Sequence, residues 1–154
     1  MSRFQKIAAK LADHSLDAMM VTSAPNRFYA TQFRSSAGMA IVTRSESYFF
    51  TDSRYIEAAG KAVTGAVIRR NSADVSMVDL ANEVLEKHNI QRLGFEEQYA
   101  TVGEYNTWKE KLKCKELVPA TQLLTDLRAV KDEEEIKALI AAQRLAEKAL
   151  QEVL

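Results

Sequence analysis

The chain is poor in cysteine: its 154 residues contain only Cys114, and one cysteine cannot form a disulfide within the chain. Since disulfides persist in oxidising compartments, this scarcity favours a reducing one. Cys114 stands among lysines, so a reactive thiol is the alternative to an incidental surface residue.

Long apolar stretches are also missing. The first residues hold no apolar block of the kind that a signal peptide needs, and no stretch reaches the roughly 20 apolar residues of a membrane span. These absences predict a cytoplasmic protein that does not bind membranes.

The chain has no excess of either charge. Its 21 basic residues balance 21 acidic ones, and no run of lysine and arginine concentrates positive potential locally. Nucleic acid is therefore not an expected partner. Apolar residues make up 47% and charged residues 27%, ordinary values for a globular protein that indicate neither disorder nor a fibrous repeat.

Residues for hydrolytic chemistry are scarce. A hydrolytic metal site needs a cluster of histidine and carboxylate ligands, and only His14 and His88 are present. Each lies at the end of a predicted helix, where an imidazolium interacts favourably with the negative end of the dipole, so we predict a cap or surface role for both. The five glycines are scattered singly, and neither a phosphate-binding loop nor a nucleophile elbow occurs.

Two acidic stretches could supply paired carboxylates for acid–base catalysis. Glu96 and Glu97 follow a predicted strand into a loop, and residues 132–135 begin a predicted helix. We interpret both stretches as solvated acids, so nothing in the chain resembles a complete active site.

Helical and strand patterns alternate through most of the chain. A capping box of Ser2 and Gln5 predicts a first helix that extends to His14. A second helix has Ser76 or Asp74 as its N-cap, and Thr101 with Glu104 begins a third. A short alanine-rich helix is predicted over 54–63. The predicted strands cover residues 18–22, 39–43, 47–51, 66–69, 93–95 and 117–118.

The arrangement of these elements predicts an α/β fold. The runs at 39–43 and 47–51 are separated by three polar residues, which indicates an antiparallel hairpin. The run at 18–22 is continuously apolar, as in strands buried on both faces. We therefore expect a layered, mixed and mostly parallel sheet with an antiparallel hairpin and flanking helices.

The last stretch differs from the rest. Asp132 and Glu135 form an acidic capping box, and the helix that they begin is predicted to reach Leu154 without a glycine or proline to end it. An apolar pattern that continues to the last residue predicts a continuation of the chain. The alternative is a terminal helix docked on its own domain.

Three motifs follow one another in the first half of the chain. They are Asn26 to Phe33, with asparagine, tyrosine, threonine and phenylalanine at fixed spacing, then 36–38 (Ser-Ala-Gly), then 51–55 (Thr-Asp-Ser-Arg-Tyr). In order and spacing they resemble the amino-terminal domain of the creatinase, prolidase and Xaa-Pro aminopeptidase family. The stretch 127–136 is similar to the linker into that family's catalytic domain. Gln32 departs from the pattern, because the family usually has glycine there.

The resemblance implies a ribonuclease H-like motif in residues 1–127 and a linker helix in residues 128–154. It also implies a catalytic domain of the pita-bread type beyond residue 154, which would hold two divalent ions of manganese, cobalt or zinc. The parent protein would then be a hydrolase, an Xaa-Pro dipeptidase or aminopeptidase. This chain alone would have no catalytic residue, no metal site and no peptidase activity.

What the chain would contribute is dimerisation and the shape of the substrate pocket. In relatives this domain packs across a homodimer, and a loop reaches toward the partner's active site, where it meets the proline-containing peptide. Arg34 could bind a substrate carboxylate, and Phe33 could wall the pocket; the alternatives are a solvated loop charge and core packing. The implied rim is Phe33, Arg34, Ser35 and Ser36.

The other motif residues are interpreted as structural. Asp52 would cap the helix that follows it, and Arg54 would tie that helix to neighbouring carbonyl groups. The full structural set is Asn26, Tyr29, Gly38, Asp52, Arg54 and Tyr55. Two other functions remain open: a protein-binding module of a non-enzymatic relative, and a domain of a creatinase-like amidinohydrolase.

Overall fold

A single six-stranded sheet organises the chain in the computed structural model, which describes residues 1–153. The strand order across the sheet is β4-β3-β2-β1-β5-β6. The strands are β1 (Ala18–Val21), β2 (Met39–Thr43), β3 (Ser47–Thr51), β4 (Val67–Arg70), β5 (Arg92–Phe95) and β6 (Glu116–Pro119).

The sheet is mixed. β2 pairs antiparallel with both of its neighbours, so that Ile41 lies opposite Met20 of β1 and Tyr48 of β3. The pairs β1–β5, β3–β4 and β5–β6 are parallel. These pairings confirm the mostly parallel sheet, and the bounds of β2 and β3 match the predicted hairpin.

Helices cover both faces of the sheet. Capping boxes at Ser2, Ser76 and Thr101 begin three of them; the boxes at Ser2 and Thr101 were predicted, and Ser76 is the one of the two candidate N-caps that the structure uses. In chain order the helices are α1 (Arg3–Lys10), α2 (Ala24–Thr31), α3 (Ile56–Ala62), α4 (Met77–Lys87), α5 (Val102–Lys111), α6 (Thr121–Ala129) and α7 (Glu133–Val153).

Two of these helices were not predicted. Pro25 is tolerated in the first turn of α2, where its missing amide proton leaves no helical bond unmade, and the Ser23 side chain accepts the cap bond from the Asn26 amide. The other unpredicted helix, α6, begins shortly after Pro119, the last residue of β6, and buries Leu123 and Leu124. The first helix is also shorter than predicted, because a 3-10 turn over Ala12–His14 replaces its end.

Alternate residues of the central strands enter two cores, one on each face of the sheet. Phe49 packs in the core covered by α1, α2, α3 and α6, where Ile7 and Leu123 are buried. Phe50 packs in the core covered by α4 and α5, where Leu80 and Trp108 are buried. The result is a three-layered α/β/α arrangement.

The helix α7 stands apart from both cores. It contains no buried residue, and Ile136, Leu139 and Leu150 are 47%, 56% and 60% exposed. Leu154, where the predicted helix ends, lies outside the described residues. The division between residues 127 and 128 stays a prediction, and α6 runs across it. None of the helices described in residues 1–153 is long and apolar enough to span a membrane.

Candidate functional site

A buried carboxylate lies where the parallel strands β1 and β5 end. Glu96 is 0% exposed and accepts hydrogen bonds from the Thr22 amide (2.5 Å), the Ser23 amide and hydroxyl (2.9 and 2.5 Å) and the Asn26 side-chain amide (2.6 Å). The prediction of a solvated Glu96 was therefore wrong. Its carboxylate faces the N-terminus of α2, where backbone amides have no helical partner.

Glu97, the neighbouring carboxylate, serves a different helix. It accepts hydrogen bonds from the Thr121 amide (2.9 Å) and hydroxyl (2.6 Å) at the start of α6. Burial alone would raise the pKa of Glu97, but the bonds from Thr121 outweigh it and hold the pKa below its usual value. Both glutamates are occupied in structural bonds, so the pair does not form an acid–base dyad.

The same buried network reaches the start of the linker motif. The side-chain oxygen of Asn26 accepts a hydrogen bond from Arg128 Nη1 at 3.1 Å, while its amide nitrogen binds Glu96. Arg27, also buried, donates to the carbonyl groups of Thr22 and Ser35. These bonds hold both ends of the segment between β1 and the loop at 33–36 in place.

A cavity of about 410 Å³ opens beside this loop. It brings Arg34, Ser35 and Ser36, three of the four predicted rim residues, together with Tyr55. The remaining lining residues belong to α2: Ala24, Pro25 and Phe28.

The polar groups of the cavity suit an anionic ligand. The exposed guanidinium of Arg34 lies over the Phe28 ring, 4.8 Å from its centroid, and the Ser36 and Tyr55 hydroxyl oxygens are 2.9 Å apart. Hydrogen bonds from Ser36 lower the pKa of Tyr55. The Ser35 hydroxyl is buried and has no hydrogen-bond partner within residues 1–153. A cation beside several hydroxyl donors can bind a carboxylate.

Phe33 and Gln32 are close to the cavity in sequence but do not line it. The Phe33 ring packs edge-on against Phe49 and Tyr55, with centroids 6.4 and 6.1 Å apart, and its role as a pocket wall stays a prediction. Gln32 ends α2 with φ 56° and ψ 19°, the left-handed conformation that glycine adopts most easily. Its amide donates to the carbonyl group of Phe28 at 2.8 Å.

The Asp52 carboxylate closes the turn that precedes α3. It accepts hydrogen bonds from the Arg54 amide at 2.9 Å and from Arg54 Nη2 at 2.6 Å. The bonds from Arg54 lower the pKa of Asp52. At the start of α3, the Ile56 amide donates a hydrogen bond to the backbone carbonyl group of Asp52 at 3.1 Å.

The residues with metal-binding or nucleophilic side chains are dispersed. His14 is exposed, and the ring of His88 forms a 2.8 Å hydrogen bond with the Tyr48 hydroxyl. Burial raises the pKa of the Cys114 thiol, which makes it less reactive. Across residues 1–153, no three histidine, cysteine or acidic side chains are grouped to hold a metal ion.

The sequence matches one family model, described as the Creatinase/Prolidase N-terminal domain, over residues 3–130. It is also 33% identical over 152 residues to the uncharacterized peptidase YqhT of Bacillus subtilis, a match that covers 99% of this chain and 42% of the peptidase. A putative Xaa-Pro aminopeptidase of Mycoplasma genitalium is 30% identical over 138 residues, which cover 90% of this chain and 37% of that protein.

Among solved structures, an Xaa-Pro dipeptidase from Bacillus anthracis superposes with a TM-score of 0.91 at 27% sequence identity. The superposition covers 98% of this chain and 42% of the dipeptidase. The chain therefore spans about two fifths of the length of each of these three proteins.

Proposed function

Because this chain belongs to the Creatinase/Prolidase N-terminal domain family, we propose that it is the non-catalytic amino-terminal domain of an Xaa-Pro dipeptidase or aminopeptidase. One observation carries the proposal: nearly the whole chain superposes on less than half of an Xaa-Pro dipeptidase. The remaining part of that enzyme would correspond to a catalytic domain that follows residue 154 in the parent protein.

The exposed surface of α7 supports this division. Its large apolar side chains recur at helical spacing but are exposed, and Leu139 and Leu150 are more than half exposed. Apolar stripes of this length usually have a partner. We assign residues 128–154 to the connection between the two domains.

The metal ions of the reaction belong to the catalytic domain in this proposal. Bound divalent ions would activate a water molecule and polarise the carbonyl group before proline. The donor groups of residues 1–153 do not fit such a centre, because His14 and His88 lie apart and Glu96 is occupied by hydrogen bonds. This domain contributes shape and binding rather than a chemical step.

The cavity at the loop is the proposed contact with substrate. Arg34 would bind a carboxylate of the proline-containing peptide, and the Ser36 and Tyr55 hydroxyls would limit how far that peptide extends. In a homodimer the loop would reach the active site of the partner subunit, so that one domain restricts the substrates of the other.

The test is to extend the chain through the following domain and add manganese. The longer protein should hydrolyse Xaa-Pro dipeptides or longer Xaa-Pro peptides, whereas the 154-residue chain should not. An extended chain with an intact set of metal ligands but no peptidase activity would refute the proposal. Hydrolysis of creatine without cleavage of a proline peptide would assign the chain to an amidinohydrolase instead.

The contact with substrate has its own test in the extended enzyme. Arg34→Ala should raise KM by about tenfold or more while kcat changes little, because a charged hydrogen bond to bound substrate is lost. The control is Arg70→Ala, which removes an exposed arginine from the edge strand β4. Equal KM values for the two variants would show that the cavity does not bind substrate.

A further inference from the structure

The start of α7 is attached to the domain by one side chain. Nη2 of Arg3, in the first turn of α1, lies 2.5 Å from Asp132 Oδ2 and 3.0 Å from Glu135 Oε2. The Arg3 side chain is only 11% exposed. In the part of the chain that the structure describes, no other hydrogen bond or ion pair joins α7 and its N-cap to the preceding elements.

The two carboxylates also form the capping box of α7. The Asp132 amide donates to Glu135 Oε2 and the Glu135 amide donates to Asp132 Oδ1, each at 3.0 Å. Each carboxylate therefore takes part both in the helix start and in the bond to Arg3. Because both carboxylates are bonded to the backbone of the first turn, the contact with Arg3 couples that turn of α7 to the domain.

Arg3 is itself fixed on the domain. Its guanidinium carbon lies 4.8 Å from the centroid of the Tyr29 ring, and Tyr29 is buried in α2. A guanidinium held over an aromatic ring has fewer orientations open to it than a flexible ammonium group has. The domain core thus determines the direction in which Arg3 points.

We infer that Arg3 is the positioning residue that sets the direction in which α7 leaves the domain. Apolar packing does not set it, because α7 contains no buried residue. A helix of 21 residues is roughly 30 Å long, so a small change of angle at its start displaces its far end by several ångströms. This has a consequence that rests on the proposed function. In the full-length enzyme, Arg3 would set the position of the cavity rim relative to the catalytic domain.

The 154-residue chain suffices for the test. In a Cys114→Ser background, spin labels at Lys137→Cys, near the held start of α7, and at Lys109→Cys on α5 report the distance between the helix and the domain. The labelled 154-residue chain with Arg3 intact should give a narrow distribution of distances. Arg3→Gln should broaden it by roughly twofold or more, because only the backbone then guides α7.

Two variants separate this role from a general loss of structure. Arg3→Lys keeps the charge without the planar fork and should restore part of the narrow distribution. Lys10→Gln, which removes an exposed charge from α1, should leave it unchanged. Near-ultraviolet circular dichroism checks that every variant keeps the folded core.

An equally narrow distribution in Arg3→Gln and in the labelled chain with Arg3 intact would overturn the inference. A broad distribution in the chain with Arg3 intact would also overturn it. Neither result depends on peptidase activity. An inactive extended enzyme, in contrast, would reject the proposed function and leave the distances unaffected.

Discussion

A fully buried carboxylate is stable only when donors surround it, and at the residue scale Glu96 meets this condition. Its donors come from the backbone of residues 22 and 23 and from the side chains of Ser23 and Asn26. Asn26 in turn accepts from Arg128. The carboxylate therefore ties together β1, β5, the start of α2 and the end of α6.

We expect Glu96→Gln to lower the free energy of unfolding by about 2–3 kcal/mol, because an amide donor would face buried donors and leave them without an acceptor. Urea denaturation followed by circular dichroism measures the loss. Glu97→Gln is the matched control, since Glu97 is more exposed and serves only the cap of α6. It should lower stability by about 1 kcal/mol. A smaller loss for Glu96→Gln than for this control would contradict the assigned role.

Glu96 also shows a limit of reasoning from sequence. Its acceptor bonds join residues 70 to 74 positions apart, and only the pairing of β1 with β5 brings those residues together. In the sequence it is one of two adjacent glutamates after a short apolar run, a pattern typical of a solvated loop. An invariant acidic position among relatives would have been the signal.

At the element scale, the entry to the hairpin depends on Gly38. Its φ of +145° is a conformation that other residues rarely adopt, and an added Cβ would lie 2.9 Å from Phe49 Cε2 and 3.0 Å from the carbonyl oxygen of Phe50. The close approach lets β2 begin directly against β3. The Ser-Ala-Gly motif therefore has a structural reason at its last residue.

Gly38→Ala should lower the free energy of unfolding by about 1–3 kcal/mol, because backbone strain and a steric clash are introduced together. Gly60 offers a matched control: it lies within α3 and a Cβ there would meet nothing within 4 Å. Gly60→Ala should instead raise stability by about 0.5–1 kcal/mol. Thermal and urea unfolding of both variants measure the contrast, and changes of the same sign would disprove this explanation.

The turn between β2 and β3 is linked to the end of α4 by charged groups. Lys87 Nζ lies 2.7 Å from Glu46 Oε2, and the Tyr48 hydroxyl donates to the same carboxylate. The hydrogen bonds from Lys87 and Tyr48 lower the pKa of Glu46 from 4.5 to about 2. The charged form of Glu46 is therefore favoured in the folded state.

A group with a lowered pKa contributes stability above its unfolded pKa and loses that contribution as pH falls through its folded pKa. The difference in urea midpoint between the parent chain and Glu46→Gln should accordingly be largest above pH 4.5 and shrink as the pH falls toward about 2. A difference that stays constant over this range would show that the pair does not link the hairpin to α4.

On the scale of the whole molecule, α7 is the least supported element. Most helical stability in proteins comes from the packing of an apolar face, and the 21 residues of α7 include no buried one. Its first turn is held by Arg3, and the side chains beyond it are exposed. Stability should therefore decrease along α7 away from the domain.

Hydrogen exchange should follow this gradient. In the 154-residue chain, amides of residues 140–153 should exchange much faster than those of the buried strands β1 and β2. In the extended enzyme the same amides should become protected, because under the proposed function a catalytic domain would cover the apolar face. Equal protection of residues 140–153 in both proteins would mean that α7 is already complete in the shorter chain.

The sequence by itself determined the features that depend on residues close together in the chain. Apolar periodicity, three capping boxes and the polar turn between β2 and β3 predicted most elements, the α/β class and the hairpin. These signals are local, since a cap or a turn involves about four residues. The order and spacing of the motifs similarly led to the family that the domain match confirms.

Tertiary structure alone decided what distant residues do together. The burial of Glu96, the cavity that gathers Arg34 with Tyr55, and the hold of Arg3 on α7 each join segments far apart in sequence. The sequence does not distinguish a glutamate or arginine that is exposed to water from one that is buried in the protein. Their roles are set by which groups the fold places within hydrogen-bonding distance, and that depends on the packing of the whole sheet.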